Sequence, residues 1–397
     1  MEFLYLSRLA SQDALNEAIN RDPTFISYAV QKFNRLVVEG IVKNGHSVTA
    51  LSTFYQPKVG FFYLRHSENV EGISYHYVAS PNYHLFRDVW LVVYCFFYVF
   101  FWGVKNKKDR VFVADVLNIS ACIGSLAAAR LIGLKRVGIM TDMPGLMVSR
   151  KKGVTNNNTL KSSFFAGMNK SFLSKFTHYV FLTEQMSSAV NTKNRPYLVM
   201  EGLVDSSIVS DCRSASKEKE KIVIYAGGLH ERYGIKLLVE GFIKADVQDS
   251  ELWLFGDGPF VGDLKRYMEK NSKIKYCGIK PNAEIEEAEK RATLLVNPRP
   301  THEKFTEYSF PSKNMEYMVS GTPVLTTKLP GMPVEYHQYV YLFDKGETVD
   351  GYASVLNRVL SLPFEQLQEK GKEARQWVLR NKNNYLQAKR IIDLLGK

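Results

Sequence analysis

The sequence predicts an α/β protein made of doubly wound parallel sheets, arranged as two successive units. Three observations carry this reading. Short apolar runs such as RVFVA (110–114), RVGIM (136–140), IVIYA (222–226) and LWLFG (252–256) alternate with stretches of helical periodicity. The alternation halts at a polar, charged stretch, 206–221, and then restarts. The 397 residues, 45% hydrophobic and 23% charged, suffice for two separate cores and exclude a disordered, collagen-like or disulfide-framed chain.

Taken in order, the chain opens with Met1 to Tyr5, which has no basic stretch leading into a long apolar core, so no secretory signal is expected. Residues 89–103, VWLVVYCFFYVFFWG, carry no charge and eight aromatic rings. As a helix this run is about 22 Å long, short of the roughly 20 residues that a bilayer span needs. It admits three readings: a buried helix of an α/β unit, a span, or a helix lying in a membrane interface. In the third, Trp90 and Trp102 sit at headgroup level and Lys105, Lys107 and Lys108 meet anionic lipid. A strand at 110–114, an Ala-rich helix at 119–131 and a strand at 136–140 follow, a unit that implies parallel pairing. Residues 150–163 read as a basic connecting loop, and 178–182 and 197–200 as strands. In the second half, strands are expected at 222–226, 252–256, 274–278, 294–297 and 323–326, a helix at 234–245, and mostly helix over 365–395. The predicted organisation is a first unit over 1–210, a linker over 211–221, a second unit over 222–375 and a final helix over 376–397.

Charge is unevenly shared. Residues 1–210 hold 23 Lys/Arg against 14 Asp/Glu, a balance of +9, and the remainder 29 against 26, a balance of +3. The first half therefore suits an anionic surface. Its basic residues neighbour an aromatic run rather than forming a recognised nucleic-acid module, which argues against nucleic acid. Cys95, Cys122, Cys212 and Cys277 form no C-x-x-C pair, so a structural zinc is not expected and a reducing compartment fits.

In open α/β sheets ligands sit beyond the carboxyl ends of the strands, so the strand-to-helix loops are the places to search. Strand 222–226 runs into Gly227-Gly228, where a backbone can approach a phosphate, with Arg232 nearby; a plain tight turn is the alternative. In 308–323, Pro311 suits the first helical position, Ser309 and Phe310 the cap region, and Gly321 the helix end. Lys313 and Glu316 share a face, so a cation near a phosphate and a carboxylate near a ribose would read a nucleotide from both ends; an exposed Lys–Glu pair is the alternative. Asp115 and Asp142 each stand at the carboxyl end of a strand, where a helix cap is the plain reading.

The run FPSKNMEYMVSGTPVL resembles the signature of the retaining glycosyltransferases of family four, the group 1 glycosyl transferases. The resemblance extends to Gly45-His46-Ser47-Val48-Thr49, Gly227-Gly228, Gly256-Asp257-Gly258 and Val296-Asn297-Pro298. It implies the GT-B fold: two Rossmann-like domains facing across a cleft, with a C-terminal helix, here including 377–395, crossing back to the first. It implies that Glu316 holds the donor ribose. The family's second acid, eight residues earlier, is Tyr308 here, with Glu307 one position away. The family's loop Arg and Lys are replaced by Gly228 and Tyr233, so the diphosphate grip would be rebuilt from Arg232, Lys313, Arg299 and backbone N–H groups. Asp115 and Asp142 would serve the acceptor side. No metal or other cofactor is expected, since basic residues can hold the leaving charge and no D-x-D pair occurs. The implied activity is sugar transfer from a nucleotide-diphosphate sugar to a lipid-linked or saccharide acceptor in bacterial surface or exopolysaccharide synthesis. The implied location is cytoplasmic, peripheral at the inner face of the cell membrane. A catalytically weak GT-B subunit and a sugar-nucleotide epimerase are the alternatives.

Overall fold

The computed structural model describes residues 1–22, 28–54, 62–63, 65, 67–105, 109–143, 171–208 and 220–396. The expected basic loop at 150–163, Lys107, Lys108, Cys212 and most of the expected linker lie outside them. The chain divides into two compact units, Met1–Leu203 with Asn384–Lys397, and Val204–Asn383.

In the first unit the described strands are β1 (Glu2–Ser7), β2 (Ser47–Ser52), β3 (Phe62–Tyr63), β4 (Glu68–Val70), β5 (Ile73–Tyr77), β6 (Ser80–Pro81), β7 (Arg110–Asp115), β8 (Lys135–Met140), β9 (His178–Phe181) and β10 (Tyr197–Val199). The main sheet has the order β10-β9-β8-β7-β1-β2-β5-β4, and within it only β4 pairs antiparallel; β3 and β6 form a separate antiparallel pair. The N-terminal FLYL run is the central strand, with Phe3, Leu4, Tyr5 and Leu6 all 0% exposed. A strand buried on both faces is apolar throughout rather than alternating, which leaves no period for a sequence reading to find. The helix Asn384–Leu395 completes this unit. Its Ala388, Ile391 and Leu395 join Leu36, Val37 and Ile41 in one core.

The aromatic run forms most of the helix His84–Lys105. Leu91, Cys95, Val99 and Gly103, four residues apart, are its buried positions among the described residues. They face the helix Ile119–Leu131, where Gly124 permits close approach: a Cβ there would come within 1.9 Å of the Val92 carbonyl oxygen. The other face is open. The helix is long and apolar enough to span a membrane by length and composition, yet 22% of its apolar window is buried in the unit.

In the second unit β11 (Lys221–Ala226), β12 (Ser250–Phe255), β13 (Ile274–Gly278), β14 (Leu294–Asn297), β15 (Val324–Thr326) and β16 (Tyr341–Leu342) are all parallel, in the order β13-β12-β11-β14-β15-β16. Alternate residues of β11 enter two cores. Val223 and Tyr225 meet the helices Ile235–Ala245 and Val349–Leu360. Ile222, Ile224 and Ala226 meet the helices Ser312–Ser320 and Phe364–Asn381. Winding outward from β11 in one direction and from β14 in the other creates a switch point between those strands.

The unit boundaries fall at 203/204 and 383/384 rather than at 210 and 376. Residues 376–383 stay with the second unit because Trp377 stacks on Tyr339 at 4.7 Å and Lys382 binds Glu335 at 2.6 Å. Val204 and Asn383 form a parallel bridge, and the Val204 N–H donates to the Lys382 carbonyl at 2.9 Å. Both chain crossings are thus tied together within the second unit.

Candidate active site

The second unit gathers its predicted residues at the β11/β14 switch point. Beyond β11 the backbone turns through Gly227 and Gly228 into the 3-10 turn Glu231–Tyr233 and then the helix Ile235–Ala245. The turn rests on the backbone after β12: the Gly227 N–H donates to Phe255 and the Leu229 N–H to Asp257, both at 2.9 Å. Gly256, at φ +119°, makes this possible, since a Cβ there would lie 1.9 Å from the Gly227 carbonyl oxygen. The glycines therefore serve backbone packing on one side. On the other side Lys313 leans over the loop, and a Cβ on Gly227 would come within 2.8 Å of Lys313 Cε.

Lys313 and Glu316 lie on the helix Ser312–Ser320, which is fastened at both strands of the switch point. The Ala226 N–H donates to Tyr317 Oη at 2.9 Å, and Asn297 Nδ2 donates to Asn314 Oδ1 at 2.7 Å. Tyr317 and Asn314 are buried, which leaves Lys313 and Glu316 partly exposed beside them. Burial pushes the Tyr317 phenol well up, with Glu289 adding to the shift, so it stays neutral and able to donate. The helix begins one residue later than expected: Pro311 is the N-cap rather than the first helical residue, and no side chain caps the first turn. Uncapped N–H groups at a positive dipole end suit an anion.

Two buried polar atoms nearby, Ser309 Oγ and Arg232 Nε, have no hydrogen-bond partner. A buried unsatisfied group is costly unless a ligand or water completes it. Arg232 is otherwise engaged, with its guanidinium 3.2 Å from Glu303 and 4.7 Å from the Phe305 ring centre. Arg299 packs on the same ring at 5.5 Å and on Tyr233 at 5.3 Å. Phe305 thus carries two guanidinium groups, a cation–π arrangement. Glu303 and Phe305 escaped the sequence reading. Their one signal was an acid and an aromatic residue in the loop that follows Asn297-Pro298-Arg299. Tyr308 ends the short turn Lys304–Glu307, its N–H bonded to the Phe305 carbonyl at 3.1 Å.

In the first unit, Asp115 and Asp142 stand at the carboxyl ends of the adjacent parallel strands β7 and β8, the first as the last residue of β7 and the second just beyond β8. Asp115 ends β7 beside β1, at that sheet's own switch point. It is 5% exposed and accepts the Leu117 N–H at 3.1 Å. Burial raises its carboxyl above the ordinary range, against opposing pulls from that N–H and from Arg8. It is not the helix cap, because Asn118 occupies that position. Asp142 accepts the Met143 N–H at 2.9 Å.

Residues 210–377 match the family model described as Glycosyl transferases group 1. No curated protein matches the chain by sequence. Among solved structures, sucrose-phosphate synthase from Thermosynechococcus elongatus aligns at TM-score 0.64 and 14% identity, over 100% of this chain and 99% of that one. HepE from Anabaena, in complex with UDP, aligns at TM-score 0.62 and 11% identity over 100% of both chains. The lipopolysaccharide outer core galactosyltransferase WaaB aligns at TM-score 0.59 and 12% identity, over 100% of this chain and 99% of that one. These likenesses show the fold, the GT-B arrangement of parallel-sheet α/β units.

Proposed function

We propose that the chain, which matches the group 1 model over 210–377 and has the GT-B fold, is a glycosyltransferase that transfers a sugar from a nucleotide-diphosphate donor held in the second unit. The observation that carries this reading is the convergence at the β11/β14 switch point of Lys313, the Gly227-Gly228 turn and an uncapped helix N-terminus. Lys313, Arg232 and the N–H groups would bind the diphosphate and stabilise its charge as it departs, the larger part of catalysis in such a site. Arg299 would lend further positive charge, and Ser309 Oγ and Tyr308 would bear on the donor from the turn before the helix. Glu316, one helical turn from Lys313, would hold the ribose. UDP bound to HepE supports a nucleotide ligand. Asp115 and Asp142 are assigned to the acceptor side, and transfer is assigned the retaining outcome that the family-four resemblance implies. A lipid-linked or saccharide acceptor in surface polysaccharide synthesis is the biological setting proposed, supported by that resemblance and the likeness to WaaB.

The test is a panel of nucleotide sugars with and without a lipid-phosphate saccharide. Nucleotide release only when acceptor is present supports transfer. Donor conversion without acceptor points to an epimerase, and binding without turnover to a non-catalytic subunit. Glu316→Ala should weaken nucleotide binding at least tenfold more than Asp115→Ala does. Equal donor affinity for Glu316→Ala and wild type would sink the ribose assignment.

A further inference from the structure

We infer that the open face of the His84–Lys105 helix docks the first unit on an anionic bilayer, with the helix lying in the plane of the interface. Opposite its buried positions, Phe86, Val89, Val93, Phe97, Phe101 and Val104 are 75%, 67%, 47%, 53%, 63% and 60% exposed. Their spacing of three or four residues makes one stripe, about 27 Å long at 1.5 Å per residue. A continuous exposed apolar surface of this kind marks an interaction site.

Two features favour lipid over a protein partner. The stripe offers no directional bonding, because the polar groups beside it turn inward: Trp90 Nε1 donates to the Ala79 carbonyl at 2.6 Å, and the Tyr94 hydroxyl meets His76 Nε2 at 2.7 Å. Acyl chains ask for no hydrogen bonds. The flanking charge is basic as well. Lys105 ends the helix exposed, and the sequence continues Asn106-Lys107-Lys108-Asp109-Arg110, three further bases against one acid. Arg130 is exposed on the neighbouring helix, near the end where Gly103 meets Ile132. The one acid within the helix, Asp88, accepts the Ser120 hydroxyl at 2.9 Å. Apolar insertion with a basic border is the pattern of interfacial helices on anionic lipid.

An in-plane helix keeps Leu91, Cys95 and Val99 packed against the unit, contacts that a span would strip away. The inserting groups are the phenylalanines and valines rather than Trp90 and Trp102. Trp90 is 41% exposed with its N–H satisfied within the unit, and Trp102 is half-buried. This inference rests on the first unit alone and is independent of the donor chemistry.

The full chain would be floated with phosphatidylcholine vesicles, with and without phosphatidylglycerol. Binding should be at least tenfold stronger with the anionic lipid and should weaken severalfold in high salt. Phe97→Ser combined with Phe101→Ser should reduce flotation at least tenfold, with the thermal midpoint and UDP affinity unchanged. Lys105→Glu with Arg130→Glu, which leaves the stripe intact, should reduce flotation severalfold and flatten its salt dependence. Absence of flotation on either vesicle, or equal flotation of the Phe variant, overturns the inference. So does a lipid-free dimer, seen by light scattering, that the same Phe substitutions dissolve.

Discussion

Arg232 and Glu303 show how one ion pair can set the charge of a binding loop. Their separation is 3.2 Å and both side chains are about one-third exposed, so the pair itself adds little stability. Its weight falls on ligand binding: a donor diphosphate must compete with the Glu303 carboxylate for Arg232. Glu303→Gln should change stability by less than about 1 kcal/mol while UDP affinity, read by calorimetry, rises severalfold. Asp115 makes a second prediction at this scale. Its folded carboxyl titrates above the ordinary value of 3.8 because of burial. Its contribution to stability is therefore fully present below the unfolded value and is lost as pH rises through the folded one. Asp115→Asn keeps an acceptor for Leu117 and removes the buried charge. The variant should be more stable than wild type at pH 7, the difference closing toward pH 4, in urea titrations at the two pH values. Transfer activity should fall.

Among the elements, the helix Ser312–Ser320 is short and stays in place through its anchors rather than through helix propensity. Tyr317 ties it to β11 and Asn314 ties it to β14. Tyr317→Phe leaves the buried Ala226 N–H without its partner, a cost of about 1–3 kcal/mol. The thermal midpoint should drop, and nucleotide affinity should drop with it, because Lys313 and Glu316 ride on the same helix. A lowered midpoint with unchanged affinity would mean that the anchor does not position the site. This helix was legible from its Pro311 and Gly321 ends, whereas its anchors were not, since Tyr317 and Ala226 lie 91 residues apart.

At the scale of the whole molecule, the chain leaves the first unit after Leu203 and returns to it at Asn384. Truncation after Asn383 would uncover Leu36, Val37 and Ile41 and remove Ala388, Ile391 and Leu395 from their core. Hydrogen exchange should then show protection lost across the first unit, around the Tyr28–Lys43 helix above all, and kept in β11, β12 and β14. Uniform loss in both units would show that they fold as one cooperative body.

The sequence by itself determined the doubly wound class, the restart of the pattern in the second half, and the loops at Gly227 and Ser309 where a ligand would be sought. These follow from local rules: periodicity, glycine and proline placement, and strand ends. The tertiary structure decided three further matters: that the N-terminal run is the central strand, that the aromatic helix has one open face, and that Glu303 holds Arg232. Each depends on what packs beside a residue from elsewhere in the chain. An apolar run looks the same whether one face or both are covered, and a loop acid shows no partner until the fold brings an arginine 71 residues away to within 3.2 Å.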